Sequence, residues 1–257
     1  MATSPTSAPS LADLAAIMGR LRDSERGCEW DKVQTFETIA PYTIEEAYEV
    51  ADAIERGDMA DLKDELGDLQ LQIVYHARIA EERGAFTLAD VMASICDKMV
   101  RRHPHIFGTA AASPGWEALK AAERGDREDD TSALAHVAKA LPALKRAEKL
   151  QKRAARIGFD WPDAAGPRAK IDEELAEIDA ATSDAERAAE LGDLLFSVVN
   201  YARHLRVDPE AALREASAKF EARFRRVEAI ADKPLNNMDI DALEALWQQA
   251  KRDLSAS

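Results

Sequence analysis

Leu62, Leu66, Leu69, Ile73, Ala77 and Ala80 recur every three or four residues, the spacing that brings side chains onto one face of an α-helix. The same interval runs almost from end to end, carried by Ala, Leu, Glu, Lys and Arg. Alternating Val/Ile/Thr-rich runs are missing, and only 11 glycines interrupt the pattern. This predicts an all-α protein. Thr43 with Glu46, Thr87 with Asp90 and Ser183 with Glu186 have capping-box spacing, and Asp208 followed by Pro209 reads as a cap with proline at the first helical position. Gly57 and Gly84 fall where helices should stop. Together these signals predict helices over 11–22, 41–56, 59–83, 87–102, 139–156, 167–181, 184–206, 209–231 and 239–253.

The pattern is broken twice in the same way. "DELGDLQLQIVYHAR" sets Glu65 and Asp68 beside Leu66 and Leu69, and "AELGDLLFSVVNYAR" sets Glu190 and Asp193 beside Leu191 and Leu194. The flanking segments repeat too. "GCEWDKVQTFETIAPYTIEEAYEVADAI" matches "IGFDWPDAAGPRAKIDEELAEIDAA", with Trp30 and Trp161 each three residues after a glycine and Glu-Glu-x-x-Glu further on. "DKMVRR" matches "AKFEARFRR", and Trp116/Lys120 matches Trp247/Lys251. A period above about one hundred residues means duplicated domains rather than a solenoid. The expected organisation is a disordered leader over 1–10, a helical domain over 11–125, a linker over 126–140 and a second helical domain over 141–257, with a short helix around Trp116.

Composition narrows the class. The chain of 257 residues is 46% apolar and 32% charged, and no apolar run approaches the roughly 20 residues a spanning helix needs. "MATSPTSAPS" lacks the basic start and apolar middle of a secretory signal. Two cysteines, Cys28 and Cys96, exclude a disulfide framework and a thiolate zinc site, so a reducing cytoplasm is expected. A net charge of −14 argues against a nucleic-acid polymer as partner but not against nucleotides, because a bound divalent cation reverses the local field.

The repeated acidic residues carry the candidate chemistry. Glu46 and Glu49 share a helix face with Glu45 at its margin, and Glu65 and Asp68 do the same on the next helix. Packed antiparallel, the two helices bring four carboxylates to one edge, where a cation is the natural partner. Acidic residues at this spacing also occur on ordinary solvated faces, and Glu46 could serve Thr43 as a capping partner. Capping fails to explain the repeat, because Ile171 stands where Thr43 does while Glu173, Glu174 and Glu177 are retained. A di-iron bundle would place His where Asp68 and Asp193 stand; an all-oxygen set suits Mg²⁺ or Mn²⁺ with a phosphorylated ligand. His103 and His105 flank Pro104 and have no counterpart in the second copy, where Phe224 replaces His103. No Gly-rich phosphate loop or nucleophile elbow is present. Lys98 with Arg102 and Lys219 with Arg223 are spaced to meet a polyphosphate or to solvate a helix. Trp247 is placed to stack on a base or to anchor the last helix.

With "RLRDSERGCEWDKVQTFETIAPYTIEEAYEV", "RRHPHIFG", "LQKRAARIGFDW" and "KFEARFRRVE", the twofold E-E-x-x-E and E-x-x-D pattern resembles the two-copy MazG family of nucleoside triphosphate pyrophosphohydrolases over almost everything after the first ten residues. The resemblance implies tandem four-helix-type bundles, a homodimer, and Mg²⁺-dependent conversion of an NTP or dNTP and water to the monophosphate and pyrophosphate, in the service of nucleotide-pool cleaning. It assigns hydrolysis to the second copy. The implied metal ligands are Glu174, Glu177, Glu190 and Asp193, with Glu174 or Glu177 as catalytic base. Glu173, Lys219, Arg223, Trp247 and Lys251 would contact nucleotide. The first copy keeps Glu46, Glu49, Glu65 and Asp68 with Lys98, Arg102, Trp116 and Lys120, a second metal and nucleotide site. The alternatives are a non-enzymatic dimerisation scaffold and a specialised dUTPase or phosphoribosyl-ATP pyrophosphohydrolase.

Overall fold

The computed structural model describes residues 8–108, 130 and 132–255, and every regular element among them is helical. The chain divides into two compact units, Met1–Arg124 and Gly125–Ser257.

The first unit begins with α1 (Leu11–Leu21), capped by Ser10, whose side chain and that of Asp13 bond each other's backbone amides. A short α2 (Glu29–Lys32) leads to the hairpin of α3 (Phe36–Arg56) and α4 (Met59–Glu82). Gly57 at φ 68° and the cap Asp58 reverse the chain between them. Packed behind are α5 (Leu88–Arg102), capped by Thr87 and Asp90 as predicted, and the short α6 (Pro104–Phe107). Met18, Ile39, Val74, Tyr75 and Ile79 form the core, with Leu11, Leu14, Phe36 and Leu71 packed around them.

In the second unit α7 (Ala143–Arg156) packs on α9 (Asp184–His204) and on α10 (Pro209–Ile230). The hairpin of α8 (Ala165–Ala180) with α9 repeats that of α3 with α4. After α10 a single turn over Leu235–Asn237 leads to α11 (Ile240–Ser255), which packs back on α10. Lys145 ties α7 to Asp208, the cap of α10, and Arg226 ties α10 to Asp253 of α11.

Several expectations need correction. The helix predicted from 41 starts at Phe36: Thr35 caps it, and Pro41 lies inside, where it forfeits only the bond to the Glu37 carbonyl. Thr43 is therefore no cap; its hydroxyl lies 2.9 Å from His76 Nε2 and 3.4 Å from the Ile39 carbonyl. The helix predicted from 139 starts at Ala143, because Pro142 disfavours helical geometry in the residue before it. Ser183 does cap α9, but Glu186 reaches back to the amide and hydroxyl of Thr182 rather than to Ser183. The apolar row of α4 also divides: Ala77 and Ala80 are buried, whereas Leu66 and Ile73 are about half exposed. The C-terminal half of α4 supplies Val74, Tyr75 and Ile79 to the core, whereas no residue of α4 before Gln72 is fully buried. No described helix is long and apolar enough to cross a membrane. The short helix expected around Trp116 lies outside the described residues, as do Trp116 and Lys120 themselves.

Candidate active site

Each helical hairpin gathers carboxylates from both of its helices. In the second unit, one oxygen from each of Glu174, Glu177 and Glu190 lies within 4.8 Å of the others. In the first unit Glu46, Glu49 and Glu65 do the same. The glutamates of one helix are a turn apart, and the facing helix supplies the third.

The expected fourth ligands stand outside these tight groups. Asp68 is exposed on α4, one turn beyond Glu65, yet close enough to push up the pKa of both Glu46 and Glu65. Asp193 occupies the corresponding exposed place after Glu190 on α9.

The electrostatics of the two groups differ. Burial raises the Glu46 carboxyl, and Asp68 and Glu49 raise it further; Glu65 is raised by burial and then by Glu49. Gln72, 7% exposed, donates from Nε2 to Glu46 at 3.3 Å. In the second unit Lys170 lies 2.9 Å from Glu173 and 2.8 Å from Glu174, and these hydrogen bonds hold its pKa well above the usual lysine range. Partial desolvation raises the Glu177 carboxyl, Lys170 pulls it down, and Glu174 and Glu190 push it up, for a net rise. Glu174 is 2% exposed, and its Oε2 is buried without a hydrogen-bond partner. A buried carboxylate oxygen without a donor is costly, and an all-carboxylate set with such an oxygen fits a hard divalent cation.

The cations and indole expected at the nucleotide lie on the other helix pair. Lys219 and Arg223 are on α10, Trp247 and Lys251 on α11. Arg223 sits 5.9 Å from the centre of the Trp247 ring, and Phe220 packs against the same ring at 5.4 Å. Trp247 is half-buried and anchors α11 on α10 while sharing its ring with Arg223. In the first unit Lys98 and Arg102 lie on α5, both partly exposed.

The aspartates beside the tryptophans that follow the repeated glycines are anchored by side chains from other helices. The Tyr75 hydroxyl donates to Asp31 Oδ1 at 3.0 Å and Arg22 to the Asp31 carbonyl at 2.6 Å, beside Trp30. Beside Trp161, Asp160 receives Arg203 and lies 3.2 Å from His204 Nε2. His76 stacks on Phe36 at 5.8 Å, with its pKa lowered by burial, and His103 Nδ1 lies 2.7 Å from the Met99 carbonyl.

Sequence reasoning passed over Lys170 and Gln72. The signal for Lys170 was present: a lysine three and four residues before the paired glutamates is placed to bridge both. Gln72 had only its place one turn after Asp68 to distinguish it from other polar helix positions.

Residues 34–107 match the model for the MazG nucleotide pyrophosphohydrolase domain, and residues 145–220 match that for phosphoribosyl-ATP pyrophosphohydrolase. The class is thus that of all-α pyrophosphohydrolase domains, present here in tandem. A protein of Escherichia coli named nucleoside triphosphate pyrophosphohydrolase is 47% identical, over 93% of this chain and 96% of its own length. One of Thermotoga maritima, named nucleoside triphosphate pyrophosphohydrolase/pyrophosphatase MazG, is 45% identical over 93% of this chain and 94% of its own length. The chain belongs to the MazG family of nucleoside triphosphate pyrophosphohydrolases.

Proposed function

We propose that the protein hydrolyses nucleoside triphosphates, NTP or dNTP plus water giving the monophosphate and pyrophosphate, in an Mg²⁺-dependent reaction centred on the second unit, and that it clears nucleotides from the pool as a homodimer. The observation that carries this reading is the Glu174, Glu177 and Glu190 triad, gathered from two helices around the buried, unpartnered Glu174 Oε2. The family membership and the names borne by its whole-length relatives support the same chemistry.

Glu174, Glu177 and Glu190 would hold Mg²⁺, with Asp193 joining by rotation of its exposed side chain. When bound, the ion supplies charge neutralisation at the triphosphate. Two glutamates were candidates for the base. Glu174 is buried and paired with Lys170, whereas Glu177 is exposed and makes no ion pair with Lys170, so Glu177 is the group placed to take the proton of the attacking water. Lys219 and Arg223 offer charge-assisted bonds to phosphate oxygens, and Trp247 with Lys251 completes the set on α11. The first unit, with its own triad, is a second divalent-ion and nucleotide site of regulatory character.

The test is incubation of the full chain with each standard NTP and dNTP, with and without Mg²⁺, with chromatographic identification of the products. Glu177→Gln should lower turnover by about 10³-fold or more while leaving the far-ultraviolet circular dichroism unchanged. Undiminished activity in that variant would sink the assignment. The match of residues 145–220 to the phosphoribosyl-ATP pyrophosphohydrolase model favours one narrower reading. It requires phosphoribosyl-ATP to outcompete the standard nucleotides in the same assay.

A further inference from the structure

The two triads are built on the same motif but differ in one position that changes their charge. Aligning Glu45-Glu46-x-x-Glu49 with Glu173-Glu174-x-x-Glu177 places Tyr42 opposite Lys170, each four residues before the inner glutamate. Lys170 bridges Glu173 and Glu174, at 2.9 and 2.8 Å. Tyr42 is neutral and leans edge-on against Trp30, with ring centres 6.3 Å apart. Among the described residues no lysine or arginine pairs with Glu46, Glu49 or Glu65. Each group also holds a buried polar atom without a partner. In the second unit it is Glu174 Oε2. In the first it is Oε1 of Gln72, whose amide nitrogen reaches Glu46.

Resting on the reading of both triads as divalent-ion sites, we propose that Lys170 is a resident counter-cation that makes the copies load differently. The first copy binds a bare divalent ion, and the second accepts one only together with a polyanionic ligand that draws the ammonium away. An ion entering the second triad meets a positive charge already paired with Glu174 of the triad and with Glu173 beside it. The like-charge repulsion and the loss of two short ion-pair contacts both oppose entry. The ammonium sits on a flexible four-carbon stem and reorients readily once phosphate oxygens offer it new acceptors. In the first copy Arg56 lines the same cavity but is bonded to Asp52 and Asp61 rather than to the triad, so the entering ion meets triad carboxylates without an ion pair and relieves their mutual repulsion. Lys170 is thus a positioning residue for the second site.

The experiment is Mn²⁺ titration of the full-length protein without nucleotide, followed by the electron paramagnetic resonance signal of free Mn²⁺. The expected result is one tight ion per chain, lost in Glu49→Gln and kept in Glu177→Gln. Lys170→Met should tighten the second site about tenfold, and Tyr42→Lys should weaken the first by a similar factor, a shift of the size one neighbouring charge produces in a carboxylate group. Lys170→Gln serves as a second probe if Lys170→Met misfolds by circular dichroism. Adding inorganic tripolyphosphate to the wild type should recruit the second ion. Two equal sites in the wild type, loss of the tight site in Glu177→Gln, or no tightening without Lys170 would each overturn the inference. Any of these with metal-dependent hydrolysis intact leaves the catalytic assignment standing. Failure of both copies to take Mn²⁺, with or without tripolyphosphate, would remove both.

Discussion

Arg22 shows how one buried charge organises the first unit. Its guanidinium, 9% exposed, donates to Glu82 at 2.8 Å, to the Asp31 carbonyl at 2.6 Å and to the Gln34 carbonyl at 3.2 Å, and lies 5.4 Å from the Tyr75 ring centre. It therefore links the end of α1, α2 with the residues just after it, and the last turn of α4. Breaking such a network by removing one partner leaves buried acceptors unpaired. Arg22→Ala should cost the first unit ~2–3 kcal/mol, a figure discounted because Glu82 is partly exposed and keeps Arg78 at 2.9 Å. Burial pushes the Glu82 carboxyl up, but the bonds from Arg22 and Arg78 outweigh it and the pKa is lowered. A carboxylate with a lowered folded pKa stabilises the fold above its unfolded value and loses that contribution as pH falls through the folded one. Urea unfolding should therefore show the gap between Arg22→Ala and wild type widest near neutral pH and narrowing below the ordinary glutamate value of 4.5. A gap that widens in acid would refute this account of the pair.

The hairpins are where sequence and structure meet most closely. Thr87, Asp208 and Gly57 marked their helix ends because capping uses short-range chemistry that the chain order displays directly. Pro41 misled for the opposite reason: whether a proline opens a helix or sits in its second turn depends on whether Thr35 caps upstream and Ile39 finds a core. The carboxylate triads were readable because the motif occurs twice, which separates it from ordinary acidic helix faces. The exclusion of Asp68 and Asp193 from the tight groups was not, since it depends on the rotation of α4 and α9 against their partners. Nor was the contact at the start of α8, where a Cβ on Gly166 would lie 2.5 Å from the Trp161 ring. Gly166→Ala must push the indole away, with Asp160 still held by Arg203. The expected cost is ~1–3 kcal/mol with a changed tryptophan emission spectrum. An unaltered spectrum and thermal midpoint would show that the close approach does not exist in solution.

Each unit, considered by itself, leaves too much apolar surface open around its acidic hairpin. Leu175 on α8 and Leu191, Leu195, Phe196 and Val198 on α9 are each between 43% and 50% exposed, and Phe220 on α10 is 58% exposed. The first unit repeats the condition with Leu66 and Ile73 on α4, and α5 buries no residue fully although Met92, Ile95 and Val100 are apolar. Single exposed leucines are ordinary, but a contiguous row along a helix that also carries the clustered glutamates is what a partner helix covers. Burying one such side chain contributes about 1–2 kcal/mol, so several together reach the scale of a stable association. A second copy of the chain presents the same face and can bury both by twofold symmetry. Leu195→Asp places a charge in that row without touching Glu174, Glu177 or Glu190. Light scattering after size exclusion should give twice the 28.2 kDa chain mass for the wild type and the single-chain mass for Leu195→Asp. Turnover should fall with the dimer fraction, and raising the protein concentration should restore part of it by mass action. A wild-type mass of one chain would mean that the rows are covered within the chain or left open, and the homodimer would have to be abandoned.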